Sequence, residues 1–320
     1  MHDYQGEFFS RNTVYENLGF DRFVPYEFMA GVQKKELVIW SDDSILLEQM
    51  KIALDGSSSD RHFIFAVTVQ THGAYPSLKK SEYPMKIRGL EADPATEGKL
   101  AYYIGQLEQV DTHLKNIVDY FEKRGEPAMI VMYSDHMPTF ALDLPGVTAE
   151  NRFDVNFYSW NNIGIAKEAD RKIKLYQMST FVCDSIGLKG SFMNRFHRIY
   201  SESEKYAEDF EKVQYYKLFE EPLEKGFVNE NYTLGLTELK ITGIAYDAAL
   251  NEYTITGEGM TDDAYLCVNG RVYDLVYIDP HTMKYTDPKR ALKSSDTVTL
   301  RIIGEKYGGV LKESEVYEWG

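Results

Sequence analysis

Cysteine is scarce in this chain, which has two, Cys183 and Cys267, among 320 residues. Neither belongs to a CxxC pair, so the sequence predicts no zinc knuckle and no thioredoxin-type site. We place the two cysteines in different domains and therefore expect no disulfide between them.

Long apolar runs and basic runs are also lacking. No stretch approaches the roughly 18 consecutive apolar residues of a membrane-spanning helix, and the N-terminus has no apolar signal-peptide core. We therefore predict no membrane span and expect any anchor or export signal to lie outside the chain. The formal net charge of −15, without a Lys/Arg cluster, argues against nucleic acid as a partner.

The first part of the chain alternates strand and helix patterns. Residues 62–69 (HFIFAVTV) and 128–133 (AMIVMY) are short apolar runs, typical of strands that are buried on both faces. Between them, residues 97–123 carry apolar side chains at helical spacing. This order predicts a βαβ unit, and hence an α/β fold with a mainly parallel sheet and flanking helices.

The remaining patterns divide the chain in two. Further helices are predicted at 12–18, 42–54, 176–188 and 201–225. From about residue 234 short β-rich runs alternate with turns, at 239–243, 253–257, 264–268, 297–302 and 316–319. The dipeptide Asn269-Gly270 adds a hairpin signal. We predict an α/β domain at 1–228 and an all-β, immunoglobulin-like sandwich at 235–320.

Asp135-His136 is the dipeptide with the clearest chemistry, and it directly follows the second predicted strand. Ligands of α/β sheets bind at the carboxyl ends of strands. A carboxylate beside an imidazole can share a divalent ion such as Zn²⁺ or Mn²⁺. The alternative is an ordinary loop with two polar residues.

The strand and dipeptide together, residues 130–138 (IVMYSDHMP), resemble the (F/Y)GDH(L/M)P stretch of lipoteichoic acid synthase-like phosphoglycerol transferases. These enzymes belong to the alkaline phosphatase and sulfatase superfamily. Three other segments follow the family's order: residues 2–23 resemble its histidine-to-arginine stretch and Y..LGF..F motif, 67–75 (VTVQTHGAY) its HGPY loop, and 107–121 the helix before the metal strand. The resemblance covers residues 1–225, as the C-terminal part of a catalytic domain.

The resemblance implies a divalent metal bound by Asp135 and His136, with Mn²⁺ expected first and Zn²⁺, Mg²⁺ or Ca²⁺ as alternatives. The family places a Thr, Ser or modified Cys nucleophile and a further acidic ligand N-terminal to all these segments. We therefore assign no catalytic nucleophile in this chain. We expect a fragment with little or no activity alone. One alternative is that this fragment binds no metal.

The resemblance also implies that His2, Arg11 and His72 contact the phosphate and glycerol groups of the substrate, with Phe9 as an aromatic neighbour. An Arg fork matches a phosphoryl group with two parallel hydrogen bonds, and a His can hold or protonate a leaving oxygen. Taken singly, each has another interpretation: a chain terminus for His2, a surface helix residue for Arg11, a turn residue for His72.

The sequence thus predicts part of a metal-dependent transferase at the extracellular face of a bacterial membrane, acting on phosphodiesters of a phospholipid head group or an anionic wall polymer. Two alternatives stay open: a non-catalytic module that binds a wall polymer or a partner protein, and a fragment of a glycan sulfatase. The stretch from Cys267 to Arg271 has the Cys and Arg spacing of a formylglycine motif. It carries Asn269 where that motif needs Pro or Ala, so we interpret it as a strand followed by a turn.

Overall fold

The structure, a computed structural model, describes residues 1–32, 40–167, 169–220, 229, 231–286, 288, 290–304 and 308–318. Its contacts separate two units. One comprises Met1–Ile117, Pro138–Pro145 and Val228–Gly320, and the other comprises Val118–Met137 and Gly146–Phe227. The boundary predicted between 1–228 and 235–320 rests on a change of sequence character, and it stays a prediction.

Helices form where apolar residues recur at helical spacing. They are α1 (Arg11–Asn17), α2 (Ser44–Asp55), α3 (Pro94–Arg124), α4 (Met178–Ser185), α5 (Phe192–Tyr200) and α6 (Tyr206–Tyr215). Short 3₁₀ turns lie at Phe8–Ser10, Tyr26–Phe28, Lys80–Glu82, Thr139–Asp143 and Leu175–Gln177, and a π-helical turn lies at Tyr216–Glu220. None of the helices in the described ranges is long and apolar enough to cross a bilayer.

The predicted helices are confirmed, with small shifts of their ends, and α5 is an addition. The helix predicted at 201–225 is α6 with the π-helical turn, and residues 221–225 lie outside the described ranges. The start of α5 is a capping box, in which the Ser191 backbone N–H and hydroxyl both donate to Asn194 Oδ1, at 2.6 and 2.8 Å.

In the described part of the chain, each parallel pair includes His2 or residues 22–23. His2 forms parallel bridges with Pro25 and Val67, and strand β1 (Arg22–Phe23) pairs in parallel with β4 (Thr233–Leu234). The prediction of a buried strand at 62–69 is therefore wrong, because Val67 makes one bridge and Phe63 is 76% exposed. A regular strand needs a partner along its length, and among the described residues the backbone of this segment pairs with residues 1 and 2 alone.

The predicted βαβ unit also needs correction. Strand β2 (Met129–Tyr133) forms as predicted, but it pairs antiparallel with β3 (Phe157–Asn161), a segment where further strand was expected. A run of apolar residues such as MIVMY lacks the alternation that would distinguish the two kinds of ladder. The mixed α/β class is confirmed, while a mainly parallel sheet does not appear in the described ranges.

The C-terminal region forms two antiparallel sheets, as its turn-separated β runs predict. The strands are β5 (Lys240–Asp247), β6 (Glu252–Glu258), β7 (Ala264–Val268), β8 (Arg271–Tyr273), β9 (Val276–Asp279), β10 (Thr282–Thr286), β11 (Thr297–Ile303), β12 (Val310–Glu313) and β13 (Tyr317–Glu318). One sheet has the order β5-β6-β10-β9, and the other has β12-β11-β7-β8 with β13 beside β11. The last predicted strand, 316–319, is confirmed as β13, and Trp319 lies outside the described ranges.

The core of this region follows the period of two along each strand. Ile255 on β6, Met283 on β10 and both Leu300 and Ile302 on β11 are fully buried. Each such side chain stabilises the fold by about 1.5–3 kcal/mol relative to an exposed one. The same cluster includes Val24, Phe28 and Met29, and Ile45, Leu46 and Met50 of α2. The segment after the N-terminal bridges and the β-rich region therefore share one hydrophobic core.

The hairpin predicted at Asn269-Gly270 is confirmed. Val268 pairs with Arg271, and the two residues between them have φ of 49° and 79°. Two successive left-handed residues define a type I′ turn, which matches the twist of the flanking strands.

Gly270→Ala should therefore destabilise the protein by about 1–2 kcal/mol through backbone strain alone. A Cβ at this position meets no described atom within 4 Å, so no clash contributes. The control is Gly105→Ala within α3, which should leave stability unchanged or raise it by up to about 1 kcal/mol. Urea unfolding measures both variants, and a Gly270→Ala protein as stable as the wild type would contradict the turn assignment.

Candidate functional site

Arg11, the first residue of α1, lies against His2. Its Nη1 is 3.1 Å from both ring nitrogens of His2, whose side chain is 1% exposed. An arginine is always protonated and can only donate, so a ring nitrogen of His2 accepts. Burial lowers the pKa of His2 to about 3, with added effects of the Arg11 charge and the terminal amino group. His2 is therefore a neutral imidazole that orients the guanidinium.

The backbone before Arg11 is in an uncommon conformation. Phe9 and Ser10 both have φ of 54°, in the left-handed region that non-glycine residues rarely adopt. Phe9 is 74% exposed, and the Arg11 guanidinium lies 5.6 Å from the Phe9 ring centroid and 5.5 Å from that of Phe8. The guanidinium thus lies beside two adjacent aromatic rings, a favourable setting for a cation.

His72 connects to this group through two aromatic residues. Ring centroids are 6.0 Å apart for His2 and Tyr4, 5.2 Å for Tyr4 and Trp40, and 5.0 Å for Trp40 and His72, all edge to face. Trp40 Nε1 also donates to the His72 carbonyl at 2.9 Å. The structure therefore joins the four residues predicted to contact substrate, His2, Phe9, Arg11 and His72, by continuous contacts.

The tautomer of His72 follows from its partner. Nδ1 is 2.6 Å from the Gly73 carbonyl oxygen, and a carbonyl only accepts, so Nδ1 carries the proton. Nε2 of the exposed imidazole then holds a lone pair. His72 is thereby set up to accept a hydrogen bond from a hydroxyl group.

Asp135 and His136 lie just beyond β2, as predicted, and belong to the unit that contains Val118–Met137. Their side chains are 80% and 60% exposed, and His136 Nε2 is 3.4 Å from Asp135 Oδ2. His136 Nδ1 lies 2.9 Å from the Met137 carbonyl oxygen, which leaves the lone pair on Nε2. A carboxylate and an imidazole with a free lone pair are suitable ligands for Mn²⁺ or Zn²⁺.

Asp135 and His136 are fewer protein ligands than a catalytic metal site normally has. Catalytic zinc sites use three protein ligands, and the described residues contain no group of three or more His, Cys, Asp or Glu arranged to hold a metal. Asp135 and His136 therefore fit a metal as two of its ligands, and the assignment of a metal to them stays a prediction.

Several residues near the N-terminal cluster were not predicted. Tyr4 and Trp40 build the ring contacts, and the carboxyl groups of Asp3 and Asp43 are buried. Trp40 is one of three tryptophans, the only sequence signal that could have drawn attention to it. Both cysteines, Cys183 and Cys267, are free thiols, which confirms that no disulfide joins them.

The chain belongs to the sulfatase family, whose family model matches residues 1–186. This confirms the family that the motifs around Asp135 and His72 indicated. Over 158 residues the chain is 32% identical to a protein of Rhizobium meliloti (strain 1021) named as a cyclic beta-1,2-glucan modification protein, a match that covers 48% of this chain and 24% of the relative.

Among solved structures, the chain is similar to the Streptococcus pyogenes phosphoglycerol transferase GacH in complex with sn-glycerol-1-phosphate. The TM-score is 0.47 at 18% identity, over 67% of this chain and 59% of that chain. The matched region thus spans less than two thirds of the length of either relative.

We predict that Mn²⁺ binds at Asp135 and His136, because a carboxylate lies beside an imidazole whose Nε2 carries a lone pair. Paramagnetic broadening in an NMR titration should affect Asp135 and His136 at the lowest Mn²⁺ concentrations. Losing an outer-shell partner already costs metal sites about 10–100-fold in affinity, so Asp135→Ala should cost at least as much. Asp154→Ala removes another exposed carboxylate of the same unit and should change nothing. Broadening that persists in Asp135→Ala would contradict the assignment.

His2 should remain neutral throughout the physiological range. The unfolded chain protonates this imidazole near pH 6.5 and the folded chain at about pH 3. Stability is therefore lost as the pH falls below about 6.5. NMR of the histidine rings should show no protonation of His2 between about pH 8 and pH 5, and Arg11→Gln should raise the pKa of His2 by removing a positive charge. A His2 that titrates near pH 6.5 would refute the buried neutral state.

Proposed function

We propose that this chain recognises the phosphate and glycerol groups of a substrate for a metal-dependent phosphoglycerol, or related phospho-group, transferase. The transfer acts on lipid or wall-polymer phosphodiesters at the extracellular face of a bacterial membrane. The observation that carries the proposal is Arg11, which is oriented by a neutral His2 and lies beside two aromatic rings. Membership of the sulfatase family supports the same reaction class.

Arg11 supplies the phosphate contact. Its hydrogen bonds to described residues use Nη1, which leaves Nη2 and Nε for two phosphoryl oxygens in the bidentate geometry that guanidinium groups favour. His2 is neutral, so it adds no competing charge and holds the fork in one orientation. The positive charge of Arg11 stabilises the negative charge that develops on the phosphoryl oxygens during transfer.

His72 and Phe9 complete the recognition of the glycerol group. The Nε2 lone pair of His72 accepts a hydrogen bond from a substrate hydroxyl group. The exposed Phe9 ring offers an apolar surface for the carbon chain of the glycerol. Both roles use parts of the side chains that remain accessible, Nε2 of His72 and the exposed ring of Phe9.

Asp135 and His136 would hold the metal, with Mn²⁺ as the first candidate and Zn²⁺ as the alternative. A bound ion supplies a lowered pKa for the attacking hydroxyl and charge stabilisation at phosphorus. The residues of this chain then position the phosphate, and no residue of this chain is assigned as the nucleophile. The Rhizobium relative, by its name, supports a glucan-type carbohydrate as the acceptor.

The β-rich region supports a second candidate function. Its strand orders, β5-β6-β10-β9 and β12-β11-β7-β8, support the predicted immunoglobulin-like sandwich. A surface groove of about 690 Å³ in this region is lined by Arg271, Val272, Tyr273 and Arg290. Two arginines beside a tyrosine suit an anionic polymer, which makes this groove the alternative binding site.

The phosphate assignment predicts that sn-glycerol 1-phosphate binds the chain through Arg11. Charge-assisted hydrogen bonds are worth about 1.5–3 kcal/mol, so Arg11→Ala should weaken binding by about 10–100-fold. Arg11→Lys should recover only part of the loss, because an ammonium group cannot form the two parallel hydrogen bonds that a guanidinium forms with a phosphoryl group. Calorimetric titration measures all three proteins.

The matched control is Arg61→Ala, which removes an exposed arginine elsewhere in the same unit and should leave binding unchanged. Binding that survives Arg11→Ala but is lost in Arg271→Ala or Arg290→Ala would transfer the site to the β-rich region and support the binding-module alternative.

A further inference from the structure

Two buried carboxyl groups, those of Asp3 and Asp43, have no role in the function proposed above. Asp3 is 0% exposed and Asp43 is 5% exposed. Asp43 Oδ1 accepts the backbone N–H groups of Val69 and Gln70, at 3.1 and 3.0 Å. Both oxygens of Asp3, and Oδ2 of Asp43, receive no hydrogen bond from any described donor. The Asp3 and Asp43 carboxyl groups interact with each other.

Two ionised carboxylates could not remain in this position. Burial raises the pKa of Asp3 well above its usual value, and the charges of Asp43 and Asp42 raise it further. Burial also raises the pKa of Asp43, while the N–H groups of Val69 and Gln70 act in the opposite direction. The anion is therefore better accommodated on Asp43, and the proton on Asp3.

The other charged and titratable groups around the pair do not provide a cation that would replace this proton. His113 of α3 lies 3.1 Å from Asp42 Oδ1 and lowers the pKa of Asp43 in part. The terminal amino group of Met1 donates to the Phe65 carbonyl. Arg11 is engaged with His2. A proton on Asp3 supplies the missing donor, directed at the one Asp43 oxygen that lacks a partner.

We propose that Asp3 and Asp43 share one proton, and that this neutral-acid and carboxylate pair positions the two substrate-contacting histidines relative to each other. Asp3 directly follows His2. Asp43 holds Val69 and Gln70, and the His72 backbone N–H donates to the Val69 carbonyl at 2.8 Å. The positioning role rests on the function proposed for His2 and His72, whereas the shared proton does not.

A second layer of hydrogen bonds holds the Asp43 side of the pair. The Asp43 backbone N–H donates to Gln70 Oε1 at 3.2 Å. Gln70 Nε2 donates to Gln106 and Gln109 of α3, at 3.0 and 2.8 Å. The Asp43 side of the pair is thereby linked to residues 69–70 and, through Gln70, to α3, and the shared proton is the link to the segment of His2.

The shared proton has a defined pH dependence. The unfolded chain releases the proton of Asp3 near its ordinary pKa of 3.8, and the folded chain retains it to higher pH. Stability therefore falls as the pH rises above about 4, until the folded protein also loses the proton. A neutral carboxamide at position 3 would keep the hydrogen bond to Asp43 with no proton to lose.

The test compares four variants. Because one pH unit corresponds to 1.36 kcal/mol, the melting temperature of the wild type should lose about 2–4 °C per pH unit relative to Asp3→Asn, over the range in which Asp3 stays protonated. Asp43→Asn should lower the melting temperature, since it replaces the carboxylate that accepts the Asp3 proton with a neutral, weaker acceptor. Asp60→Asn, the control, removes an exposed carboxylate of the same unit and should keep the wild-type difference. The infrared band of a protonated carboxyl group should be present at neutral pH and absent in Asp3→Asn.

The positioning role is read from the ring signals of His2 and His72 in NMR spectra. Asp3→Ala should shift both sets of signals, and Asp3→Asn should restore them. A wild type without the protonated-carboxyl band, or with the same pH dependence as Asp3→Asn, overturns the shared proton. A band that is present, with histidine signals unchanged in Asp3→Ala, overturns the positioning role. None of these readouts uses a substrate, so the proposed function can fail or stand independently.

Discussion

The burial of His2 and Asp3 imposes the constraint on which the candidate site depends. The His2 backbone N–H donates to the Val24 carbonyl, the Met1 carbonyl accepts the Val67 N–H, and the side chains of His2 and Asp3 are removed from water. A buried polar group must be neutral or paired, because an unpaired charge is very costly in such an environment. His2 meets this requirement as a neutral imidazole facing Arg11, and Asp3 as a carboxyl group facing Asp43.

The same constraint supports the proposed recognition of phosphate. The neutral ring of His2 holds Arg11 without cancelling its charge, and Phe9 limits the orientations that the guanidinium can adopt. The contacts through Tyr4 and Trp40 extend the same rigid group to His72. Orientation of this kind reduces the entropy that binding would otherwise cost. The proposed recognition of phosphate and glycerol depends on this group, and the proposed metal binding depends on Asp135 and His136.

Features encoded locally could be predicted from the sequence, whereas features set by distant partners could not. Helix α3 was predicted because its apolar repeat continues over many turns, and the turn at Asn269-Gly270 because two left-handed residues favour that dipeptide. Strand β2 was predicted, but its antiparallel partner was not, because an all-apolar run is compatible with either ladder. Order along the chain indicated Arg11 and His72, while Trp40 lies 32 residues from His72 and gave no such signal.

The most direct measurement is a crystal structure of the chain with sn-glycerol 1-phosphate. The account predicts two phosphate oxygens within hydrogen-bond distance of the Arg11 guanidinium, and a glycerol hydroxyl group at Nε2 of His72. A phosphate bound instead between Arg271 and Arg290, with Arg11 unoccupied, would contradict the account and identify the β-rich region as the binding part of the chain.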